Sequence, residues 1–129
     1  MLATRFTQLV GCAVPIQQAG MGAASPPALA AAAVSNAGGL GMLGTARPGF
    51  GTVPPLAALL DEVDALTDQP YGVNFLIRPE VLPDIDPGCF ALAARHARVV
   101  EFFWNWPDPK LVETVHEHGA GQLAGRVRG

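Results

Sequence analysis

No aspartate or glutamate occurs before Asp61, and only Arg5 and Arg47 carry charge ahead of it. A stretch so poor in charge is expected to be mostly buried. The eight Lys and Arg of the whole chain are scattered, and the formal charge is −3 with a pI near 5.4. Nucleic acid and anionic membranes are recognised through basic residues clustered on one face, so both are excluded as partners. Cysteine is limited to Cys12 and Cys89, which fits two free thiols in a reducing compartment better than a disulfide scaffold. Apolar runs are short as well. The stretch from Pro26 to Leu43 is interrupted by Ser35, Asn36 and three glycines, and a membrane span needs about 20 uninterrupted apolar residues. The N-terminal segment is broken by Thr7, Gln8 and Pro15 before a secretion signal could form, so a cytoplasmic location is expected.

What the chain does have is apolar residues, at half its composition, together with 15 Gly and 12 Pro in 129 residues. That supports one packed domain and leaves little room for a second. Val14–Gln18 reads as a first buried strand running into a turn at Ala19-Gly-Met-Gly22. Ser25 as N-cap, Pro26 at the first helical position and Gly38 beyond the end delimit an alanine-rich helix. Leu40–Gly44 is the second strand, small and apolar on both faces. A Gly/Pro loop holding Arg47 leads to a helix over Val53–Leu66, with Leu56, Leu59, Leu60, Val63 and Leu66 inward and Asp61, Glu62 and Asp64 outward. Tyr71–Ile77 is the third strand, where the lone Asn74 needs a polar partner. A short helix Cys89–His96, a fourth strand Val99–Phe103 and a helix Pro109–His118 follow. Four strands alternating with helices at this spacing predict βα crossovers around a parallel sheet. The tail, residues 121–129, has few β-branched residues and two arginines, so the series is expected to break off there.

Gly39-Leu-Gly-Met-Leu-Gly44 matches the G-x-G-x-x-G pattern, but it follows a helix and enters a loop, the reverse of a dinucleotide-binding turn. Gly20-Met-Gly-Ala-Ala-Ser25 sits between a strand and a helix, yet lacks the acid about 20 residues on. It is either a plain tight turn or a place where a flat ligand approaches the backbone at the mouth of the sheet. His116 and His118 face different ways on one helix and His96 ends another, so solvated or helix-capping roles are expected. No metal-ligand spacing and no serine nucleophile elbow is present, and no metal is expected. Phe102, Phe103, Trp104 and Trp106 form an aromatic cluster after the fourth strand, as packing or as a wall over a ligand.

Pro15-Ile-Gln-Gln-Ala-Gly-Met21, Ala30-Ala-Ala-Ala-Val-Ser-Asn-Ala-Gly-Gly-Leu-Gly41, Leu66-Thr-Asp-Gln-Pro-Tyr-Gly-Val-Asn-Phe75 and Val99-Val-Glu-Phe-Phe103 occur in that order. Together they resemble the nitronate monooxygenases, formerly called 2-nitropropane dioxygenases, from about Thr4 to Ala120. The flavin-dependent enoyl-acyl carrier protein reductases of the same superfamily share the opening motifs. The resemblance implies a (β/α)8 TIM barrel, of which this chain would be the truncated N-terminal half, a partial domain over 1–129 of about four βα units. It implies flavin mononucleotide (FMN) as cofactor, with Ala19, Gly20 and Met21 against the ring and Asn74 in contact with it. Gly20 stands where many members have proline, which implies a looser turn.

The activity implied is oxidation of an alkyl nitronate with O2 to a carbonyl compound and nitrite. The family's catalytic histidine belongs to the second half, so no catalytic residue is expected here and the chain alone is expected to be inactive. A barrel needs about 250 residues, which points to a fragment, and the change at residues 121–129 points to a frameshift. The alternatives are the enoyl reductase branch and a non-catalytic half-barrel that self-associates through its open sheet edges.

Overall fold

A computed structural model of the chain describes residues 2–23, 26–45 and 51–125, the last five as backbone alone. Helices α1 (Arg5–Val10), α2 (Pro27–Asn36), α3 (Val53–Leu66), α4 (Gly88–His96) and α5 (Pro109–Glu117) alternate from α2 onward with strands β1 (Gly41–Gly44), β2 (Tyr71–Leu76), β3 (Val99–Phe103) and β4 (Gly121–Gly125). All four strands are parallel and lie in the order β1-β2-β3-β4, so each is joined to its neighbour by one helical crossover. The α/β class and the barrel-wall topology are those expected from the sequence.

Strand pleat divides the side chains. Tyr71, Val73 and Phe75 of β2, with Val100 and Phe102 of β3, point to the helices and form one core with Leu56, Leu60, Val63, Phe90, Ala93 and Val115. Phe90 of α4 lies 4.8 Å from Phe75 and 6.0 Å from Phe102, ring to ring, and ties α4 to both strands. Small residues bring α2 close to the sheet. Ala28, Ala31 and Ala32 are buried, and the Ser35 hydroxyl donates to the Pro70 carbonyl (2.9 Å) while accepting from the Gly41 amide (3.0 Å).

The opposite face of the sheet carries Met42 and Gly72 near its start, with Asn74 and Glu101 further along. Its lower end is covered by α1, whose Val10, with Cys12, packs on Leu40, Met42 and Val99. Apolar periodicity does not reveal this six-residue helix; its caps do. The Thr4 hydroxyl accepts from the Thr7 amide (3.1 Å), the Thr7 hydroxyl accepts from the Thr4 amide (2.9 Å), and Gly11 closes the helix at φ +86°. Arg98 fastens it by donating from Nη2 to the Leu9 carbonyl at 2.6 Å.

Five expectations need correction. Val14–Gln18 is not a full strand. Only a parallel bridge of Gln17 with Leu40 forms there, carried by the bonds Gln18 N–H to Leu40 O and Leu40 N–H to Ile16 O, and a second isolated bridge, Met21 with Leu43, follows the Gly20 turn. The N-cap of α2 is Pro26 in extended conformation and its first residue is Pro27, while Ser25 lies outside the described residues, as does Arg47. Residues 121–125 continue the series as β4, because β3 supplies a full register for them, Val99↔Gly121 to Phe103↔Gly125, whatever their β propensity. The charge-poor N-terminal stretch is not mostly buried: Leu2, Leu9, Ile16, Met21 and Leu29 are among the most exposed large apolar residues, and Leu66 of α3 also faces outward. Scarcity of charge does not by itself mean burial. Both cysteines are free and buried, and among the described residues no helix is long and apolar enough to cross a membrane.

Candidate functional site

Asn74 is a buried polar residue, 5% exposed, fourth in a strand otherwise apolar or glycine. Its main-chain carbonyl accepts from both the Thr45 hydroxyl (2.7 Å) and the Thr45 amide (3.2 Å), which fixes the strand at that point. Its side-chain nitrogen donates to Oε2 of Glu101 at 2.6 Å. Glu101 stands directly opposite in register on β3 and is half-buried. Its second oxygen, Oε1, accepts from the Gln17 side-chain amide at 2.9 Å. Three polar residues, one from the segment before α2, one from β2 and one from β3, therefore meet on the inner face of the sheet. The neighbouring Gln18 has a different task, accepting the Met42 amide at 3.1 Å.

The turn after Gln18 lies over this cluster. Ala19 and Met21 are exposed and Gly20 is half-buried. A Cβ on Gly20 would fall 2.4 Å from both Cβ and Cγ of Asn74 and 2.7 Å from its Oδ1, so only glycine allows the turn to rest on that side chain. Gly20 therefore marks close packing rather than a looser turn. The chain then crosses Gly44, where an added Cβ would meet the Met21 carbonyl carbon at 2.5 Å, and Met21 bridges Leu43. Of the four residues expected at the cofactor, Gly20 and Asn74 are in contact, and Ala19 and Met21 flank them at the carboxyl end of the sheet, where parallel α/β folds bind ligands.

Sequence reasoning missed Glu101 and Gln17. The need of Asn74 for a partner was legible, and the structure gives its nitrogen a protein partner, Glu101. An acid inside Val-Val-Glu-Phe-Phe was the signal available. The expected aromatic cluster divides by the strand pleat. Phe102 is in the core, whereas Trp104 (41% exposed) and Trp106 (62%) stand at the mouth. Trp104 has φ +88°, a left-handed conformation costly for a bulky residue, and the Arg78 guanidinium lies 4.6 Å from its ring.

The histidines sit away from this face. His118 Nδ1 pairs with the Thr114 carbonyl at 2.7 Å, a helix-end role, and His116 is exposed. His96 is not merely solvated, since its Nδ1 lies 2.6 Å from Oδ2 of Asp64. The other oxygen of Asp64 accepts from the Tyr71 hydroxyl at 2.8 Å. Asp61 completes a group whose ligand atoms lie within 4.8 Å of one another, with Asp64 and His96 already paired together. Burial first, and Asp64 second, push the Tyr71 phenol far above its ordinary value. Burial, followed by the charge of Asp86, also raises the Cys89 thiol.

A parallel sheet with helices on one face, and a glycine turn resting on buried amides at the strand ends, defines an α/β protein of the barrel-wall type. Its fold is shared with FabK from Thermotoga maritima at TM-score 0.75 and 31% identity, over 96% of this chain and 37% of that one. Residues 3–120 match the family model described as nitronate monooxygenase, and the chain belongs to that family, a family of flavin-dependent oxidoreductases. Among curated relatives, a (3aS,4S,5R,7aS)-5-hydroxy-7a-methyl-1-oxo-octahydro-1H-indene-4-carboxyl-CoA dehydrogenase of Mycobacterium tuberculosis is 37% identical over 119 residues. That match takes in 92% of this chain and 31% of the relative. The nitronate monooxygenase of Pseudomonas aeruginosa is 50% identical over 76 residues, or 58% of this chain and 20% of that protein. The chain thus spans under a third of the length of these two relatives.

Proposed function

We propose that the chain forms the opening wall of an FMN-binding barrel that oxidises alkyl nitronates with O2 to a carbonyl compound and nitrite. The observation carrying this reading is the contact of Gly20 with Asn74. It seats the Gly20 backbone directly on a buried amide held for recognition, at the mouth of the sheet, where a flat ring could lie against the Ala19–Met21 turn. FMN, when bound, supplies the electron acceptor for the nitronate. The residues of this chain bind and orient: the turn offers backbone groups, Asn74 a fixed amide, and Met21 and Trp104 an apolar rim. Proton handling is assigned to no residue here, because the described histidines lie on the helices and pair elsewhere or face outward. The chain alone is therefore expected to bind FMN without turning over nitronate.

The test is titration of the purified chain with FMN, followed by flavin fluorescence and the visible spectrum, with oxygen uptake and nitrite release measured on propyl-2-nitronate. Binding without turnover supports the reading, and failure to bind overturns the assignment of this turn. A second reading is an acyl-thioester oxidoreductase, favoured by the likeness to FabK and to the carboxyl-CoA dehydrogenase. Nicotinamide-driven reduction of an enoyl thioester, but no nitrite release, by a longer protein that includes this sequence would select it.

A further inference from the structure

We infer that Glu101 is a positioning residue that holds the Asn74 amide with its carbonyl oxygen toward the turn, so that the site selects a flat ligand whose facing edge donates an N–H. The inference rests on the flavin reading above and adds to it which edge of the ring is read and what enforces that choice.

Glu101 is the one acid on any described strand, and no lysine or arginine pairs with it among the described residues. Its partners are instead two side-chain amides, one on each oxygen, Gln17 at 2.9 Å and Asn74 at 2.6 Å. An ionised carboxylate only accepts hydrogen bonds, so both amides must turn their nitrogens toward it. For Asn74 the alternative orientation would bring carbonyl and carboxylate oxygens together at the same short distance inside a buried strand, where an unmet acceptor is costly. The orientation is therefore dictated by charge.

The consequence falls on the other end of the amide. Oδ1 of Asn74 faces the Gly20 turn, 2.7 Å from where a Cβ would be, and takes no hydrogen bond from any described residue. A fixed acceptor at the mouth favours a donor and rejects an acceptor or a methyl group in the same place. The oxidised isoalloxazine ring has a single N–H, the imide nitrogen between its two carbonyls, and that edge satisfies the requirement. Removing the charge of Glu101 while keeping its shape abolishes the constraint, since a glutamine at this position can donate as well as accept.

The experiment compares FMN with its imide-N-methyl analogue on the chain and on its Glu101→Gln variant. The wild-type chain is expected to prefer FMN by about tenfold, the effect of one buried acceptor left without its donor. Glu101→Gln is expected to weaken FMN and bring the two ligands within about twofold of each other, whereas a merely structural loss would weaken both equally and preserve the ratio. Gln17→Ala leaves the Glu101 to Asn74 bond in place and is expected to keep the preference. Circular dichroism checks that each variant is folded, and the wild-type comparison stands if Glu101→Gln is not. Equal binding of both ligands by wild type, or an unchanged preference in Glu101→Gln, overturns the inference and leaves the flavin site standing. Binding of neither ligand overturns the flavin reading, and the inference with it.

Discussion

Gly41 and Gly72 occupy neighbouring strands in nearly matching positions, yet alanine at the two sites should have very different effects. At Gly41 an added Cβ would lie 1.8 Å from the Ala31 carbonyl oxygen, 2.6 Å from the Ser35 hydroxyl and 2.7 Å from the Ala31 carbonyl carbon. Ordinary contact begins near 3.4 Å, so helix α2 would have to withdraw by about 1.6 Å. The obstacle is backbone and cannot rotate away. Withdrawal would also strain the Ser35 hydroxyl, which links the Gly41 amide to the Pro70 carbonyl. Overpacking of this kind commonly costs 1–3 kcal/mol and sometimes more, so Gly41→Ala is expected near the upper end, about 3 kcal/mol. For a chain of this size that corresponds to a fall in melting temperature of roughly 12 °C. At Gly72 the added atom meets the tip of Met42, Cε at 2.7 Å and Sδ at 2.8 Å, with the Val99 carbonyl at 3.2 Å. Methionine has three rotatable bonds with which to yield, and alanine also restrains the unfolded chain. Gly72→Ala should therefore change stability by no more than about 1 kcal/mol. Thermal unfolding followed by far-UV circular dichroism, supported by urea titration, measures both. Equal losses for the two variants, or a Gly41→Ala chain that melts within about 4 °C of wild type, would refute the close approach of α2 to the sheet.

Gly20→Ala drives a methyl group into Asn74 and is expected to lower FMN affinity by about tenfold or more while shifting the melting temperature by only a few degrees, read by flavin fluorescence and thermal melts. Burial and Asp64 raise the Tyr71 phenol above its ordinary value, so its contribution to stability is fully present below about pH 10 and is lost as pH climbs beyond that. Urea unfolding between about pH 8 and 11 should show a steeper alkaline loss for wild type than for Tyr71→Phe, and parallel curves would contradict this. The Cys89 thiol, fully buried and raised by burial and by Asp86, should resist a thiol reagent at neutral pH until the chain unfolds. Rapid native labelling would show that α4 does not hold Cys89 against the core.

Periodicity carried most of the fold. The bounds of α3 and β3 were legible to the residue, because Leu56, Leu59, Leu60 and Val63 recur at helical spacing and Val99–Phe103 is a bounded apolar run. Where a neighbour rather than the local sequence decides, the signal was missing. β4 is a strand because β3 offers it a register, and Val14–Gln18 falls short of one because the Gly20 turn separates its bridge, Gln17 with Leu40, from the next, Met21 with Leu43. α1 escaped notice because two threonine caps and a left-handed glycine define it, with too few turns to show a stripe. At the site, Asn74 and the glycine turn were visible as oddities of composition. Their union with Glu101 depends on strand register, which a single sequence does not display. The Asp64–His96 pair was hidden for the same reason, since it forms only when α3 and α4 lie side by side.

The cluster of Gln17, Asn74 and Glu101 also limits how this architecture can be rearranged. A barrel wall of repeating βα units invites exchange of one unit for its counterpart in a homologue, and the outer core, built from interchangeable aliphatic and aromatic side chains, would tolerate such a graft. The inner face would not. The segment before α2, β2 and β3 each contribute one member of the triad, so a transplanted segment without its glutamine, asparagine or glutamate leaves the other two polar groups facing each other without their third. Chimaeras of this fold should therefore be cut outside the span from Gln17 to Glu101, with those residues inherited as a block.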